Sequence, residues 1–388
     1  MQRMKLCLVS LDFIPYRGSG LAVYTEKIGL GISERHDVTV VTHQPSGIKR
    51  EEWINGIRVI RIPIPDLDRS KWLTFSYKAA RYLPKLNKEE KFDLVHFVDI
   101  HFGYAYRGHF TGSLHQSFRQ RLGGDKSLPF HSSYANLVQR LAYYNLSRFL
   151  ERNALKKASR MIAVSNATKK DFVEYGRVDP SKIEVIHNGI DVNHFRRQPP
   201  KDLREKLGIR DDQRVLLYVG FSTPRKGLEY LADAMNDLGK AVVLIVAGKW
   251  EPGYRDIFLR HLGQNRDRLI EVGYVTDEEM PVYYSLADVF VLPTLLEGFG
   301  FPLVESMSCE TPVVSTNVGS VPEVVGDCGF IVPPRQPRAL SKAIDILLTD
   351  DNLRRDLGKK GRTRVETLFS QELMVRKTEG FCKDVLGG

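Results

Sequence analysis

Glu297 and Glu305 stand eight positions apart, with Gly298, Gly300 and Pro302 between them. The apolar residues 288–292 just before read as a buried strand, and Pro302 suits the first turn of a following helix. A strand that runs through glycines into a helix leaves unpaired backbone N–H groups at the helix start, where the dipole favours an anion. Gly298 and Gly300 let that backbone, with Phe299 and Phe301, approach a ligand closely. The two carboxylates then flank an anion site, one able to accept hydrogen bonds from a ribose diol and the other from the hydroxyls of a sugar. Without the glycines, the same acids would read as a solvated loop residue and a partner of the helix dipole.

A second glycine turn, Pro15-Tyr16-Arg17-Gly18-Ser19-Gly20, follows the first strand and precedes a helix. Gly18 and Gly20 could bring N–H groups to a phosphate. The dinucleotide fingerprint is incomplete, because Val23 takes the place of its third glycine and Thr42-His43-Gln44 supplies no acid for a ribose. A plain tight turn explains this loop equally well. Asp66-Leu67-Asp68 has the spacing of a metal-chelating pair, but it follows Pro63-Ile64-Pro65 and reads as a polar loop. The ten histidines form no HxxxH or HExxH pair, and the four cysteines form no CxxC, so no metal is expected.

These residues need a framework, and short apolar runs alternating with amphipathic stretches supply one. Strands are expected at 5–11, 38–42, 57–62, 93–98, 160–165 and 182–186, and again at 214–219, 241–247, 268–272, 288–292, 312–315 and 329–332. Runs this uniformly apolar indicate parallel strands covered on both faces. With helical stretches between them they make a doubly wound α/β layer, built twice. Residues 196–200 read as the linker between the layers. A chain of 388 residues accommodates two such domains. The expected division is 1–190 and 191–369, with a terminal helix 370–388 completing the first domain and an interdomain cleft at the strand ends.

The net charge of +10 is uneven. Residues 1–190 hold 30 Lys+Arg against 18 Asp+Glu, and the remainder 27 against 29. An anionic partner is therefore expected for the first half only. Arg140, Arg148, Arg152 and Lys156 recur at multiples of four within 134–157, opposite Leu137 and Leu141, while 70–91 mixes Trp72, Phe75 and Tyr82 with lysines and arginines. Such faces either lie on anionic membrane or cover a core with snorkelling basic side chains. No apolar run is long enough to cross a membrane, so a cytoplasmic protein, peripheral on the inner membrane face, is the expectation.

The stretch Glu297–Glu305 resembles the signature of the retaining glycosyltransferases with two facing Rossmann-like domains (the GT-B fold, family 4 and group 1), which include glycogen synthase-like and phosphatidylinositol mannosyltransferase-like enzymes. Thr311-Pro312-Val313-Val314-Ser315-Thr316-Asn317-Val318-Gly319 is similar to the family's next block, and Val164-Ser165, His187-Asn188-Gly189-Ile190-Asp191 and Tyr218-Val219-Gly220 match upstream. The resemblance implies a nucleotide-sugar donor held by the second half, a saccharide or lipid-linked acceptor held by the first, and no cofactor, metal or nucleic acid. It implies that Glu305 binds the donor ribose, that Glu297 and the Gly298–Gly300 backbone hold the transferred sugar, and that Lys226 contacts the diphosphate. Tyr274 and Val275 would line the base. Phe221 stands where the family often has an arginine, and Arg225 is the nearest residue able to replace that charge. His115 matches the family's active-site histidine and Asp99 a second acidic position, although Val98 replaces a histidine before it.

The nearest rival is a nucleotide-sugar epimerase on the same plan, which would need no acceptor. A phosphorylase would need a longer chain and a pyridoxal-bearing lysine. A nicotinamide oxidoreductase lacks its fingerprint here, and a nucleic-acid-binding protein would leave Glu297 and Glu305 idle.

Overall fold

The computed structural model describes residues 3–15, 20–65, 71–121 and 134–387, with 134–140 and 201 described by their backbone alone. The apolar runs form strands because their side chains can be hidden only between two covering layers. Leu216, Leu217, Tyr218, Leu244, Ile245 and Val289–Leu292 are wholly buried. Parallel strands need crossover segments, and the amphipathic stretches provide them. The helix Pro337–Thr349 buries Leu340, Ala343, Ile344 and Leu347, a single stripe at helical spacing.

Two compact units result. One contains Met1–Leu122, Phe130–Gly189 and Gln371–Gly388, and the other Ile190–Ser370. In the first, the strands are β1 (Lys5–Val9), β2 (Asp37–His43), β3 (Glu51–Ile54), β4 (Ile57–Ile62), β5 (Leu94–Phe97), β6 (Thr111–Leu114), β7 (Met161–Ala163) and β8 (Ile183–Val185). Their order among the described residues is β3-β4-β2-β1-β5-β6-β7-β8. Leu6 of β1 faces Val38 of β2 on one side and Leu94 of β5 on the other, all in parallel. Among the described strands only β3 runs against its neighbour, Glu51 opposite Ile60. Asn55 and Gly56, both at positive φ, make the tight turn that joins β3 to β4. The strand list drawn from apolar runs omits β3, because Glu51-Glu52-Trp53-Ile54 is half polar and lies at a sheet edge.

The second unit holds β9 (Arg214–Val219), β10 (Val242–Ala247), β11 (Leu269–Gly273), β12 (Val289–Leu292), β13 (Val313–Thr316) and β14 (Gly329–Val332), ordered β11-β10-β9-β12-β13-β14. All neighbours are parallel. Residues 196–200 belong to this unit and are not a free linker. The Gln198 N–H donates to Ser285 Oγ at 2.9 Å, and Arg362 Nη1 donates to the carbonyls of Val192 and Phe195 at 2.8 and 2.7 Å. Ser285 thus fastens a stretch whose prolines and charges imitate a linker, and Arg362 secures the residues just before it.

The terminal helix Gln371–Gly387 returns to the first unit and packs on the helix Gly20–Ser33. Glu379 anchors it: its carboxylate meets Arg35 Nη2 at 2.9 Å, His36 Nε2 at 3.1 Å and Lys383 Nζ at 2.6 Å. Burial would raise the pKa of Glu379. Hydrogen bonds from Lys383 and His36 and the charge of Arg35 outweigh burial and hold it at about 2, below its ordinary 4.5. A carboxylate depressed by folding contributes stability that is present above its unfolded pKa and lost as the pH falls through the folded one. Glu379→Gln is expected to cost ~1–3 kcal/mol at pH 7, and the gap from the wild type should close between pH 4.5 and 2. Urea denaturation at pH 7 and pH 3 reads both numbers.

Candidate active site

In the second unit the chain starts in the middle of the sheet, at β9, stacks β10 and β11 to one side, and then crosses to lay down β12, β13 and β14 on the other. Ligands of such sheets bind beyond the carboxyl ends of the strands at this reversal of direction. Here it lies between β9 and β12. The segment after β9 leads into a single 3-10 turn, Pro224–Lys226, and the segment after β12 leads through Gly298 and Gly300 into the helix Phe301–Ser308.

Backbone bonds tie the two segments together. The Leu295 N–H donates to the Arg225 carbonyl at 2.8 Å, and Arg225 Nη1 donates to the Leu296 carbonyl at 3.0 Å. Across this junction Lys226 Nζ meets Glu297 Oε2 at 2.5 Å, each side chain only 11% exposed. Burial pulls the Lys226 ammonium below its ordinary pKa in spite of Glu297, and Arg225 adds to that fall. Glu297 is also buried, yet the charges of Lys226 and Arg225 keep its carboxyl below the usual range. Lys226 and Arg225 thus both converge on the segment that carries Glu297.

Gly300, at φ 88°, caps the helix, and a Cβ there would lie 2.8 Å from Leu303 Cδ1. Gly319, at φ 52°, sits so close that a Cβ would lie 2.1 Å from the Glu297 carbonyl. That contact fixes the backbone carrying Glu297, and nothing in the spacing of Gly319 announces it. Phe299 is buried and packs edge-on against Phe301 and Phe369, so only its backbone is offered to a ligand. Glu305, one turn into the helix, accepts a hydrogen bond from the hydroxyl of Tyr284 at 2.7 Å. Tyr274 and Val275 follow β11, two strands away from β9. The Tyr274 ring is exposed with Lys249 Nζ 6.0 Å from its centre, and Val275 is buried. Phe221 is 55% exposed.

In the first unit the reversal falls between β1 and β5. Gly18 lies outside the described residues, as do Asp66 and Asp68; Gly20 begins the helix Gly20–Ser33 and is exposed. Asp99 stands just past β5 and His115 just past β6. His115 Nε2 lies 2.9 Å from the Val98 carbonyl, which can only accept, so Nε2 carries the proton. Burial lowers the pKa of His115. Asp99 is engaged by its neighbour: its carboxylate accepts from His101 N at 3.1 Å and from His101 Nδ1. His101 Nε2 lies 2.7 Å from Glu151 Oε1, which also accepts the Phe118 N–H at 3.1 Å. Burial alone would lower the pKa of His101, but the charge of Asp99 and the bonds to both acids raise it to about 9. An imidazolium between two carboxylates thus joins the Asp99 turn, the segment after His115 and the helix Tyr134–Lys157. Sequence reasoning finds neither His101 nor Glu151, since a lone histidine and a helical acid 50 residues apart give no pattern.

On that helix Arg152 and Lys156 of the expected basic stripe are exposed, and Arg148 is half-buried. The helix turns Ser147, Glu151, Ala154 and Leu155 inward and leaves Leu146 and Phe149 50% and 61% exposed beside Arg152 and Lys156. The partner that His101 requires sets this orientation, and two apolar side chains are left outside. Among the described residues no group of three or more His, Cys, Asp or Glu is gathered as for a metal, and no helix is long and apolar enough to cross a membrane.

The chain is similar to known proteins in sequence and in fold. Residues 200–364 match the family model of glycosyl transferases group 1, and residues 18–194 match that of glycosyltransferase family 4. An uncharacterized glycosyltransferase of Methanocaldococcus jannaschii is 26% identical over 97% of both chains. O-antigen chain mannosyltransferase B of Escherichia coli is 31% identical over 60% of this chain and 63% of its own. Among solved structures, sucrose-phosphate synthase of Thermosynechococcus elongatus superposes with a TM-score of 0.81 at 23% identity, covering 99% of this chain and 100% of that one. HepE of Anabaena in complex with UDP and glucose does so at 0.75 and 20% identity, covering 98% and 100%. The structural likenesses establish the GT-B fold, two parallel-sheet α/β domains. With glycosyltransferase models matching its two halves, the chain belongs to the glycosyltransferases, family 4 in its N-terminal part and group 1 in its C-terminal part.

Proposed function

We propose that this glycosyltransferase moves a sugar from a UDP- or GDP-sugar to a hydroxyl acceptor, with retention of the anomeric configuration and with protein cations, not a metal, stabilising the leaving group. The observation that carries the reading is the Lys226–Glu297 pair at the reversal between β9 and β12, held at 2.5 Å beside Arg225 and the mouth of the helix Phe301–Ser308. Rupture of the sugar–phosphate bond puts negative charge on the diphosphate and positive charge on the ring. Lys226, Arg225 and the helix N–H groups are arranged for the first, and stabilisation that grows in the transition state accelerates the step. Glu297, freed from part of its pairing when Lys226 turns to the phosphate, accepts from the sugar hydroxyls with the Gly298–Gly300 backbone, and Glu305 takes the ribose. Tyr274 and Val275 offer backbone to the base. UDP in the HepE complex supports a nucleoside diphosphate here.

The first unit is assigned the acceptor. His115, with its tautomer set by Val98, orients the reacting sugar, Asp99 completes the acceptor side, and the loop of Gly18 and Gly20 reaches the donor. The departing phosphate is the base for the acceptor hydroxyl, because no carboxylate is assigned to nucleophilic attack as in retaining glycosidases. Exposed Leu146 and Phe149 beside Arg152 and Lys156, together with Tyr77 at 52% exposure on the helix Lys71–Glu90, support a lipid-linked acceptor on an anionic membrane.

Lys226→Ala is expected to lower kcat by ~10²–10³-fold in protein that still folds cooperatively, although Glu297 loses its buried partner, in a screen of UDP- and GDP-sugars read by released nucleoside diphosphate. Product analysis by NMR should return the donor's anomeric configuration, and EDTA should leave the rate unaltered. Turnover close to wild type in the variant would reject the assignment. Separately, the protein should sediment with phosphatidylglycerol vesicles and not with phosphatidylcholine, and Phe149→Glu should weaken that binding severalfold. Failure to bind anionic vesicles at low salt would remove the membrane from the account.

A further inference from the structure

We propose that Tyr284 is a positioning residue whose hydroxyl aims the Glu305 carboxylate, and so sets the preference for ribose over deoxyribose; this rests on the ribose role given to Glu305 above. Glu305 is a long side chain on the second turn of the helix Phe301–Ser308. A glutamate there has three rotatable bonds and loses their freedom on meeting a ligand, which weakens the contact unless the protein has already fixed it. The Tyr284 hydroxyl supplies that restraint through the 2.7 Å bond to Oε2.

Tyr284 is itself rigid. It lies on the helix Met280–Leu286, is wholly buried, and packs edge-on against Phe290 of β12 at 5.6 Å and Phe195 at 6.3 Å. Its carbonyl accepts from Thr311 Oγ1 at 2.6 Å. Burial and the adjacent carboxylate both push the phenol well above its ordinary pKa, so it stays protonated and remains a donor. A donor fixed by β12 and by the Thr311 segment therefore defines where the Glu305 oxygens sit. Tyr284 touches no reacting atom; it acts through Glu305.

The test compares binding of UDP and GDP with that of their 2′-deoxy and 3′-deoxy counterparts by calorimetry, in the wild type, Tyr284→Phe, Glu305→Ala and the double variant. Tyr284→Phe keeps the ring and its packing. The wild type should favour the ribonucleotide at least ~10-fold, as for hydrogen bonds to a charged group. Tyr284→Phe should reduce that preference to about twofold, and should add nothing further in the Glu305→Ala background. A merely structural tyrosine would shift the affinities for ribo- and deoxyribonucleotides equally. If the wild type discriminates and Tyr284→Phe discriminates equally well, the inference is wrong while the role of Glu305 survives. If the wild type does not discriminate, or binds neither UDP nor GDP, the ribose reading fails and the inference with it.

Discussion

Lys226 and Glu297 are brought within 2.5 Å of each other from two different segments of chain, and both are nearly removed from water. Pairs of this kind recover little more than the cost of desolvating two charges, and apolar side chains of similar size would serve stability as well or better. The geometry around the pair is correspondingly demanding. The Arg225 carbonyl and guanidinium bond to Leu295 and Leu296, Thr294 Oγ1 donates to the Leu296 carbonyl at 3.1 Å, and Gly319 presses on the Glu297 carbonyl. All of this holds a cation and an acid at the one place in the second sheet where neighbouring strands lead away in opposite directions. In the proposed reading the diphosphate has the stronger claim on Lys226, with Glu297 as its partner until a donor arrives.

The first unit follows the same structural logic with different chemistry. Its strand order also reverses beside its first strand, and Asp99 and His115 emerge at and next to that point. Their support is a buried network: His96 contacts Thr111 Oγ1 at 2.8 Å and Ser113 Oγ at 2.9 Å, and is kept neutral by burial and by His115, with its pKa at about 3. His101 is kept charged by two acids. Two buried histidines five residues apart thus hold opposite protonation states, because one faces hydroxyls and the other faces carboxylates. The excess positive charge of this half is carried elsewhere, partly on the exposed face of the helix Tyr134–Lys157.

Much of this was legible before any coordinates. Strands buried on both faces must be apolar throughout, so β1, β9, β10 and β12 stand out, and glycines between two acids mark the loop after β12. Edge and local-turn features were harder. β3 is half polar and lies at a sheet edge, and β6 lies in the stretch 104–133, which has no periodicity to read. Residues 196–200 resemble a linker because their fastening is remote in sequence: the Gln198 N–H donates to Ser285, 87 positions away. Tyr284 and Gly319 act through contacts 21 and 22 positions from their partners, a separation at which sequence carries no geometric signal. The inward turn of Glu151 on the helix Tyr134–Lys157 is illegible for the same reason, because His101 lies on another element.

The most direct measurement is a crystal structure of the chain grown with an intact UDP- or GDP-sugar. The account predicts electron density for the diphosphate within hydrogen-bond reach of Lys226 Nζ and the N–H groups at Phe301, with the Lys226–Glu297 contact lengthened and the sugar against Gly298–Gly300. A nucleotide sugar seated elsewhere on the second unit, with Lys226 and Glu297 still joined, would contradict it.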